Sequence, residues 1–550
     1  MKRPDFIALL ILVILSAILL IDPFFHAGRF TAHDIDMNTA YFSGFFSSLQ
    51  DGNIIPRWSA NIANLYGSPT SIFLYPGPYY LASLITIIGF SLVDTMKIYF
   101  FITSILSVIF MYLFLRKHFN TLASFVGSFL YLYAPYRIND IYARGNIAEN
   151  TSFMLFPLLA LCLYKFMKNP KLKNIIFISF VTALFLLSHP FLFLVFLPFL
   201  ISYVFYLHLD LHKLKLLFLS GLLSFGLISF YFFPLIFESK YTLYDISPFS
   251  GQYYRSQFIN LTQLIIPQWH FIDQTGKLEY QTYQIGIVQL VLAIISIFIF
   301  IYQKLNKSLK SDLSKLFLLA LFNFLLSTFL MLSISDFVYK LIPPLQRIQF
   351  PWRFLALNLF SISLMTAVIF SSLKKQIISY LFALLIVIIS ILLYAPYAKG
   401  HDYKIISDDA YFYDVRINID AFVTLPRWAA QPDKYPRIGN RYQIIEGKAD
   451  VELLSRNNIS HIYNILSSTP VRFLDATYYF PGWNAYIDGK KANIEFQDQS
   501  YRGLITFDIP KGNHFIVVKF ESTKLRLFGD MITLGTIIFM IIFYKRYSKT

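Results

Sequence analysis

Apolar runs of membrane-spanning length recur along this chain from its N-terminus to about Tyr394, and once more near the C-terminus. A hydrocarbon core of roughly 30 Å is crossed by about 20 helical residues. The runs predict about twelve spans: 6–22, 95–115, 121–135, 151–167, 174–188, 191–207, 214–236, 284–303, 316–335, 354–373, 376–396 and 527–544. The first run follows Lys2 and Arg3 and leads into Asp22-Pro23-Phe24-Phe25-His26, with no small-x-small cleavage site. It therefore reads as a retained signal-anchor helix with its N-terminus inside. The pair of runs between Asn174 and Leu207 breaks at Ser188-His189-Pro190.

From about Lys399 to Lys524 the pattern changes to short apolar stretches with alternation. Val471-Arg472-Phe473-Leu474, Ala485-Tyr486-Ile487, Leu504-Ile505-Thr506-Phe507 and the run Phe515 to Phe520 read as strands. Asp488-Gly489-Lys490-Lys491 and Pro510-Lys511-Gly512-Asn513 read as turns, because Gly supplies the positive φ of a tight reversal. The expected fold is a polytopic α-helical membrane protein with a β-sandwich-like domain before the last span. Its parts are a transmembrane domain over 1–398, an extracytoplasmic mixed or β-sandwich domain over 399–525, and a last helix and tail over 526–550. The stretch of about 400–465 is mixed and predicts no defined elements.

Composition agrees: 56% hydrophobic, 19% aromatic and only 14% charged residues exclude an ordinary soluble protein. The net charge of +16 sits in short connections, at Arg116-Lys117, Lys168/Lys171/Lys173, Lys213/Lys215, Lys304/Lys307/Lys310/Lys315, Lys374-Lys375 and Lys545-Arg546. Short cytoplasmic loops gather Lys and Arg. These loops and both termini are therefore expected inside a plasma or inner membrane, and the charge is not a nucleic-acid footprint. The same rule bears on Tyr79 to Val93, where a full span would invert every later loop. That run is expected as a re-entrant or juxtamembrane element within a first outer loop of 23–94. The single cysteine, Cys162, permits no intrachain disulfide. Zinc-type Cys/His spacing, a P-loop and a Gly-x-Ser-x-Gly elbow are all absent from the sequence.

Two polar stretches then fall on the same outer face. One is Thr31-Ala32-His33-Asp34-Ile35-Asp36, directly after the first span. The other is Ala143-Arg144-Gly145-Asn146-Ile147-Ala148-Glu149-Asn150, closing a second outer loop of 136–150. Carboxylates beside hydrophobic helix ends are costly to place idly, so the pair predicts a catalytic cleft at the membrane surface.

The order of one span, an acidic outer loop, a half-buried helix, two spans joined by a basic loop and a second acidic loop resembles the GT-C superfamily of integral-membrane glycosyltransferases. That superfamily includes the bacterial oligosaccharyltransferase. More specifically, the chain resembles bacterial membrane proteins related to 6-pyruvoyl-tetrahydropterin synthase and the YfhO-type proteins. The matching residues are Ile55-Pro56-Arg57-Trp58, Tyr75-Pro76-Gly77-Pro78-Tyr79, Arg144-Gly145-Asn146 through Glu149, Gln349-Phe350-Pro351-Trp352-Arg353, and Tyr479-Phe480-Pro481-Gly482-Trp483 followed by Asp488-Gly489-Lys490. No histidine cluster supports the pterin-synthase chemistry of the name. Asn38 and Tyr41 stand where the superfamily often has an aromatic or His residue, which leaves Asp34 and Asp36 both eligible as its acidic residue.

The resemblance implies a transferase that uses a polyprenyl-phosphate-linked sugar as donor and an envelope glycan, lipid or protein as acceptor. Such transfer needs a carboxylate base and positive charge at the leaving phosphate. Asp34 is the first candidate base and Asp36 the alternate, with helix N-capping as the plainer role. Glu149 is a candidate site acid or metal ligand, or simply an acid favoured at a helix start. Asp34, Asp36 and Glu149 together would suit Mg²⁺ or Mn²⁺ through their oxygens. Arg57, Arg144 and Arg353 are phosphate-binding candidates, with snorkelling to lipid headgroups as the alternative. Tyr75 and His189 complete the substrate-binding set, with a structural role at an outer hairpin tip as the plainer reading of His189, and Trp58 and Trp352 read as interfacial belt residues before sugar platforms. The rival functions are an envelope-lipid transporter or flippase, which predicts paired repeats and charges within spans, and a non-catalytic membrane scaffold.

Overall fold

The computed structural model describes residues 3–243, 253–266, 271–272, 278–279, 282–413, 424–429 and 438–547. Among these, nine helices are long and apolar enough to cross a membrane. They are α1 (Arg3–Leu20), α4 (Leu92–Leu115), α6 (Ile147–Lys168), α9 (Leu211–Glu238), α10 (Ile287–Leu305), α11 (Ser311–Met331), α12 (Leu355–Ser372), α13 (Gln376–Tyr394) and α14 (Lys524–Tyr547). Three more of the twelve expected spans are present as shorter apolar helices: α5 (Thr121–Leu132), α7 (Leu172–Ser188) and α8 (Pro190–Tyr206). The causes of the shortening are local. Pro190 ends the α7 run by lacking an amide donor, and α5 gives way to a turn before Pro135. The stretch Tyr79–Val93 holds no full-length helix. It is divided between α3 (Pro76–Thr86), of 11 residues, and the start of α4. The remaining helix at this end, α2 (Ile35–Gln50), follows the first polar stretch.

The bundle core is aromatic: Phe156 stacks on Phe196 at 3.6 Å, and both Phe156 and Phe199 meet Phe360 edge-on. α12 is buried along almost its whole length, at the centre of the bundle. At the opposite end from the acidic stretches, Asp5 of α1 pairs with Arg116 at 2.7 Å and accepts from Tyr112 and Thr121.

The β domain forms two antiparallel sheets. Its strands are β1 (Tyr442–Glu446), β2 (Ala449–Arg456), β3 (Ser460–Ser467), β4 (Val471–Tyr478), β5 (Trp483–Ile487), β6 (Lys490–Ala492), β7 (Leu504–Ile509) and β8 (Gly512–Phe520). One sheet runs β2-β3-β8-β5-β6 and the other β1-β4-β7. Alternate residues of β3 are buried, and Tyr463 and Phe473 meet between the sheets at 5.1 Å. Asp488 and Gly489, both at positive φ, make the reversal between β5 and β6. The first three strands lie in the stretch from which no elements were expected. The alternation of the first two breaks where the register shifts, between Ile444 and Glu446 and between Leu453 and Ser455.

This domain is fastened to the bundle at several points, among them Asn458, whose amides donate to Asp51, and Arg526. Arg526 donates from Nε to Glu238 at 2.9 Å and from Nη2 to the Pro481 carbonyl at 2.7 Å, over the Phe520 ring. Gly482 sits at φ +121°, and a Cβ there would lie 2.7 Å from that guanidinium. Trp483 meets Trp58 edge-to-face at 5.3 Å. Ahead of the domain, residues 399–413 form a strap across the first outer loop. Arg29 and Lys404 exchange both backbone hydrogen bonds, and Thr31 donates to His401.

Candidate functional site

The two polar stretches are joined through their backbones. His33 and Asp34 donate to the carbonyls of Ala143 and Arg144 at 2.9 and 2.7 Å. The second stretch can approach because residues 139–144 form a π-helical turn closed by Gly145 at φ +63°. A Cβ on Gly145 would lie 2.8 Å from the Ile35 Cβ, so only glycine fits both the left-handed turn and the close approach. π-turns recur at functional sites because they re-aim side chains. Here Asp140 and Arg144 are brought onto one side.

Arg144 is the hub. Its Nη1 lies 2.7 Å from Glu149 Oε2 and 3.2 Å from Asp140, and its Nη2 is 3.8 Å from Asp34. Arg353 reaches Glu149 Oε1 at 2.8 Å and donates to the Ile348 carbonyl. Tyr136 donates its hydroxyl to Glu149 at 3.0 Å. Both arginines lie against rings, Arg144 over Trp352 at 4.6 Å and Arg353 over Phe350 at 4.7 Å. The aromatic residues of the 349–353 motif thus cradle guanidinium groups. Trp352 is buried and is neither a belt residue nor a sugar platform.

Glu149 is fully buried, whereas the Asp34 side chain is 13% exposed. The cluster therefore has a closed interior and a rim. Asp34 also accepts from Asn146 at 3.0 Å and contacts His33 Nδ1 at 2.8 Å. Burial pushes its carboxyl up, but the His33 contact and the Arg144 charge outweigh it, so Asp34 titrates below the usual range. Asp140 behaves oppositely. Burial and the neighbouring Glu149 carry it well above that range, against the pull of Arg144 and Arg137. Glu149 answers both Arg144 and Arg353, and Asp34 lies at the far edge of Arg144.

Tyr75 and His189 stand beside this cluster. Their rings stack at 4.9 Å, and Glu149, Arg144 and Arg353 all act electrostatically on His189. His189 Nδ1 also caps α8 by accepting from the Leu192 amide. Gly77 of the 75–79 motif lets α3 close on Ser188, whose Oγ would be 2.7 Å from a Cβ.

Two expected members lie elsewhere. Asp36 pairs with Arg29 at 2.7 Å, turned toward the strap, with 36% of its side chain exposed. Arg57 forks onto Asp530 of α14 at 2.5 and 3.0 Å and also donates to Ser522. It holds the last helix rather than a phosphate. Trp58 likewise packs under the β domain, buried against Trp483 and Phe520.

The three carboxylates do not fit a divalent cation in this arrangement. Such ions gather several oxygens around one point, yet Glu149 faces two arginines and Asp36 turns to Arg29. Among the described residues no group of three His, Cys, Asp or Glu side chains converges. Asp140, Asn146 and Tyr136 were not foreseen as site residues. The signal for Asp140 was its i,i+4 spacing from Arg144, one turn before the stretch singled out.

The model of a family described as a 6-pyruvoyl-tetrahydropterin synthase related domain, a membrane protein, matches residues 73–398. An uncharacterized protein of Lactococcus lactis subsp. cremoris (strain MG1363) is 25% identical over 308 residues, covering 54% of this chain and 49% of that protein. Among solved structures, the apo oligosaccharyltransferase of Archaeoglobus fulgidus aligns with a TM-score of 0.47 at 14% identity, over 73% of this chain and 56% of its own. The same enzyme in complex with Zn and sulfate aligns at 0.38 and 16% identity, over 72% and 53%. This chain thus spans about half the length of each protein it matches. At such distances no chemistry transfers.

Proposed function

The chain belongs to the 6-pyruvoyl-tetrahydropterin synthase related family of membrane proteins, and from that premise we propose that it is a glycosyltransferase of the cell envelope. It takes a sugar from a polyprenyl-phosphate-linked donor and passes it to an envelope acceptor at the extracytoplasmic face of the plasma membrane, with both termini cytoplasmic. One observation carries the reading: Arg144 bridges a rim carboxylate, Asp34, and a buried one, Glu149, across two loops. The wider GT-C and YfhO-type resemblance belongs to the same proposal.

The donor phosphate takes the Nη2 edge of Arg144, whose carboxylate partner is the most distant of its three. Glu149 and the rings of Trp352 and Phe350 fix the directions of both guanidinium groups, so positive charge is already aimed when the phosphate departs. The acceptor hydroxyl or amide attacks the anomeric carbon as the bond to phosphate oxygen breaks. Its proton passes to Asp34, and the electron pair leaves on the phosphate, held by Arg144 with Arg353 behind. A carboxylate held below its usual range is ionised at neutral pH but weak as a base. Asp34 therefore takes the proton late, once the new bond has acidified the nucleophile. Charge compensation rests on arginine, and no step is routed through a metal ion.

The test is transfer of labelled sugar from a polyprenyl-phosphate donor into envelope acceptors by membranes carrying the wild-type chain or the Asp34/Asp36 double Asn variant. The variant should fold and lose transfer. Full transfer by the variant would end the reading and favour lipid transport by the same fold.

A further inference from the structure

A cavity of about 450 Å³ lies between the end of α1 and the first turn of α4, walled by Phe24, Phe25, His26, Asp94 and Lys97. Small-molecule sites span roughly 300–1,000 Å³. The α4 start is fixed by Ser91, whose hydroxyl accepts from the Asp94 amide and donates to Asp94 Oδ2 at 2.9 Å, leaving Oδ1 toward Lys97, and the i,i+3 spacing sets Asp94 and Lys97 side by side on the wall.

Lys97 is 7% exposed. Its Nζ donates to the His26 carbonyl at 3.0 Å, and Asp94 Oδ1 lies 3.6 Å away, beyond a good hydrogen bond. An ammonium carries three donors, more than the His26 carbonyl and Asp94 take up, and Lys97 lines the cavity. Burying such a charge is costly without an anionic partner. Asp94 stands at the mouth with 53% of its side chain exposed. Beside them the Phe24 and Phe25 rings are left 43% and 77% exposed, an apolar lip next to a charged pocket. The His26 ring is itself held by stacking on Tyr403 of the strap at 4.4 Å.

We propose that this cavity binds the headgroup of an aminophospholipid, with the phosphate on Lys97, the primary ammonium on Asp94, and the acyl chains along Phe24 and Phe25. Charge complementarity selects this class. A glycerol headgroup supplies the phosphate but leaves Asp94 facing an anion. A choline headgroup supplies both charges but has no N–H for the carboxylate to accept. The site is separate from the Arg144 cluster and stands whatever group that cluster transfers.

The purified full-length chain, in nanodiscs of phosphatidylcholine, would be titrated with phosphatidylethanolamine, phosphatidylglycerol or inorganic phosphate, and bound lipid read by native mass spectrometry. Phosphatidylethanolamine should bind at least tenfold tighter than phosphatidylglycerol, and inorganic phosphate should not displace it at equal concentration. Lys97→Gln should lower that binding tenfold or more, and Asp94→Asn should abolish the preference between the two lipids. Asp94 is exposed, so its variant keeps the test valid even if Lys97→Gln fails to fold. Equal binding of both lipids by wild type, displacement by phosphate, or a preference unchanged in Asp94→Asn would overturn the site.

Discussion

The amide of Asp34 donates to the carbonyl of Arg144 at 2.7 Å, and the side chains of the same two residues face each other at 3.8 Å. A backbone bond thus sets the separation of a carboxylate and a guanidinium that would close further if both were free. In the proposed transfer the donor phosphate takes this Nη2 edge of Arg144.

Asp34→Asn keeps the size and the hydrogen-bonding reach of the side chain but removes proton acceptance. Transfer should fall about 10²-fold or more, the usual contribution of a general base, in an assay of sugar incorporation. Asp36→Asn, which breaks the contact with Arg29 instead, should reduce transfer far less. A reversed order would move the base to Asp36.

Removing Arg353 strands Glu149 with half its compensation. Arg353→Ala should destabilise the bundle by about 3–5 kcal/mol, the cost of breaking a buried ion pair. The Arg353→Ala/Glu149→Gln double variant should lose less than the sum of the two single variants, measured as thermal midpoints in detergent. Additive losses would show that the two residues are not coupled.

The β domain should weaken in mild acid. His461 is buried against Asp475 at 2.8 Å, and burial holds its pKa down, from 6.5 to about 4, despite that carboxylate. The unfolded chain binds the proton first, so stability is full above pH 6.5 and falls as pH drops from 6.5 toward 4. The effect is on the order of 3 kcal/mol at full extent. Denaturation followed by tryptophan fluorescence should show it, and His461→Gln should flatten the slope.

Sidedness has its own test. In a Cys162→Ser background, cysteines at Ser308, in the turn after α10, and at Gly489, between β5 and β6, should react with an impermeant reagent from opposite sides of the membrane. Labelling of both in intact cells would overturn the orientation.

The helices were legible because apolar runs of this length have few other uses. The β strands from Val471 onward were legible because alternation and Gly turns coincide there. The first strands before them were hidden by register shifts that break their alternation, and the strap by having no periodicity at all. At the site, Asp34, Arg144, Glu149 and Arg353 could be read because charge beside a span is conspicuous. Arg57 and Trp58 looked equivalent to them, since nothing local tells which partner an arginine meets in the fold, here Asp530 for Arg57. Only the fold supplies the partner.

That partner arrives late. Arg57 and Asp530 are 473 residues apart, an interval of roughly 24 to 95 s at synthesis rates of about 5–20 residues per second. For that time the first outer loop is without the carboxylate that finally holds it, and Trp58 without the Trp483 ring. The nascent chain thus passes through a stage at which its helices are inserted but its site-bearing loop is not yet clamped. C-terminal truncations should accordingly expose this loop to proteases and quality control at the very start of the chain, far from the residues deleted.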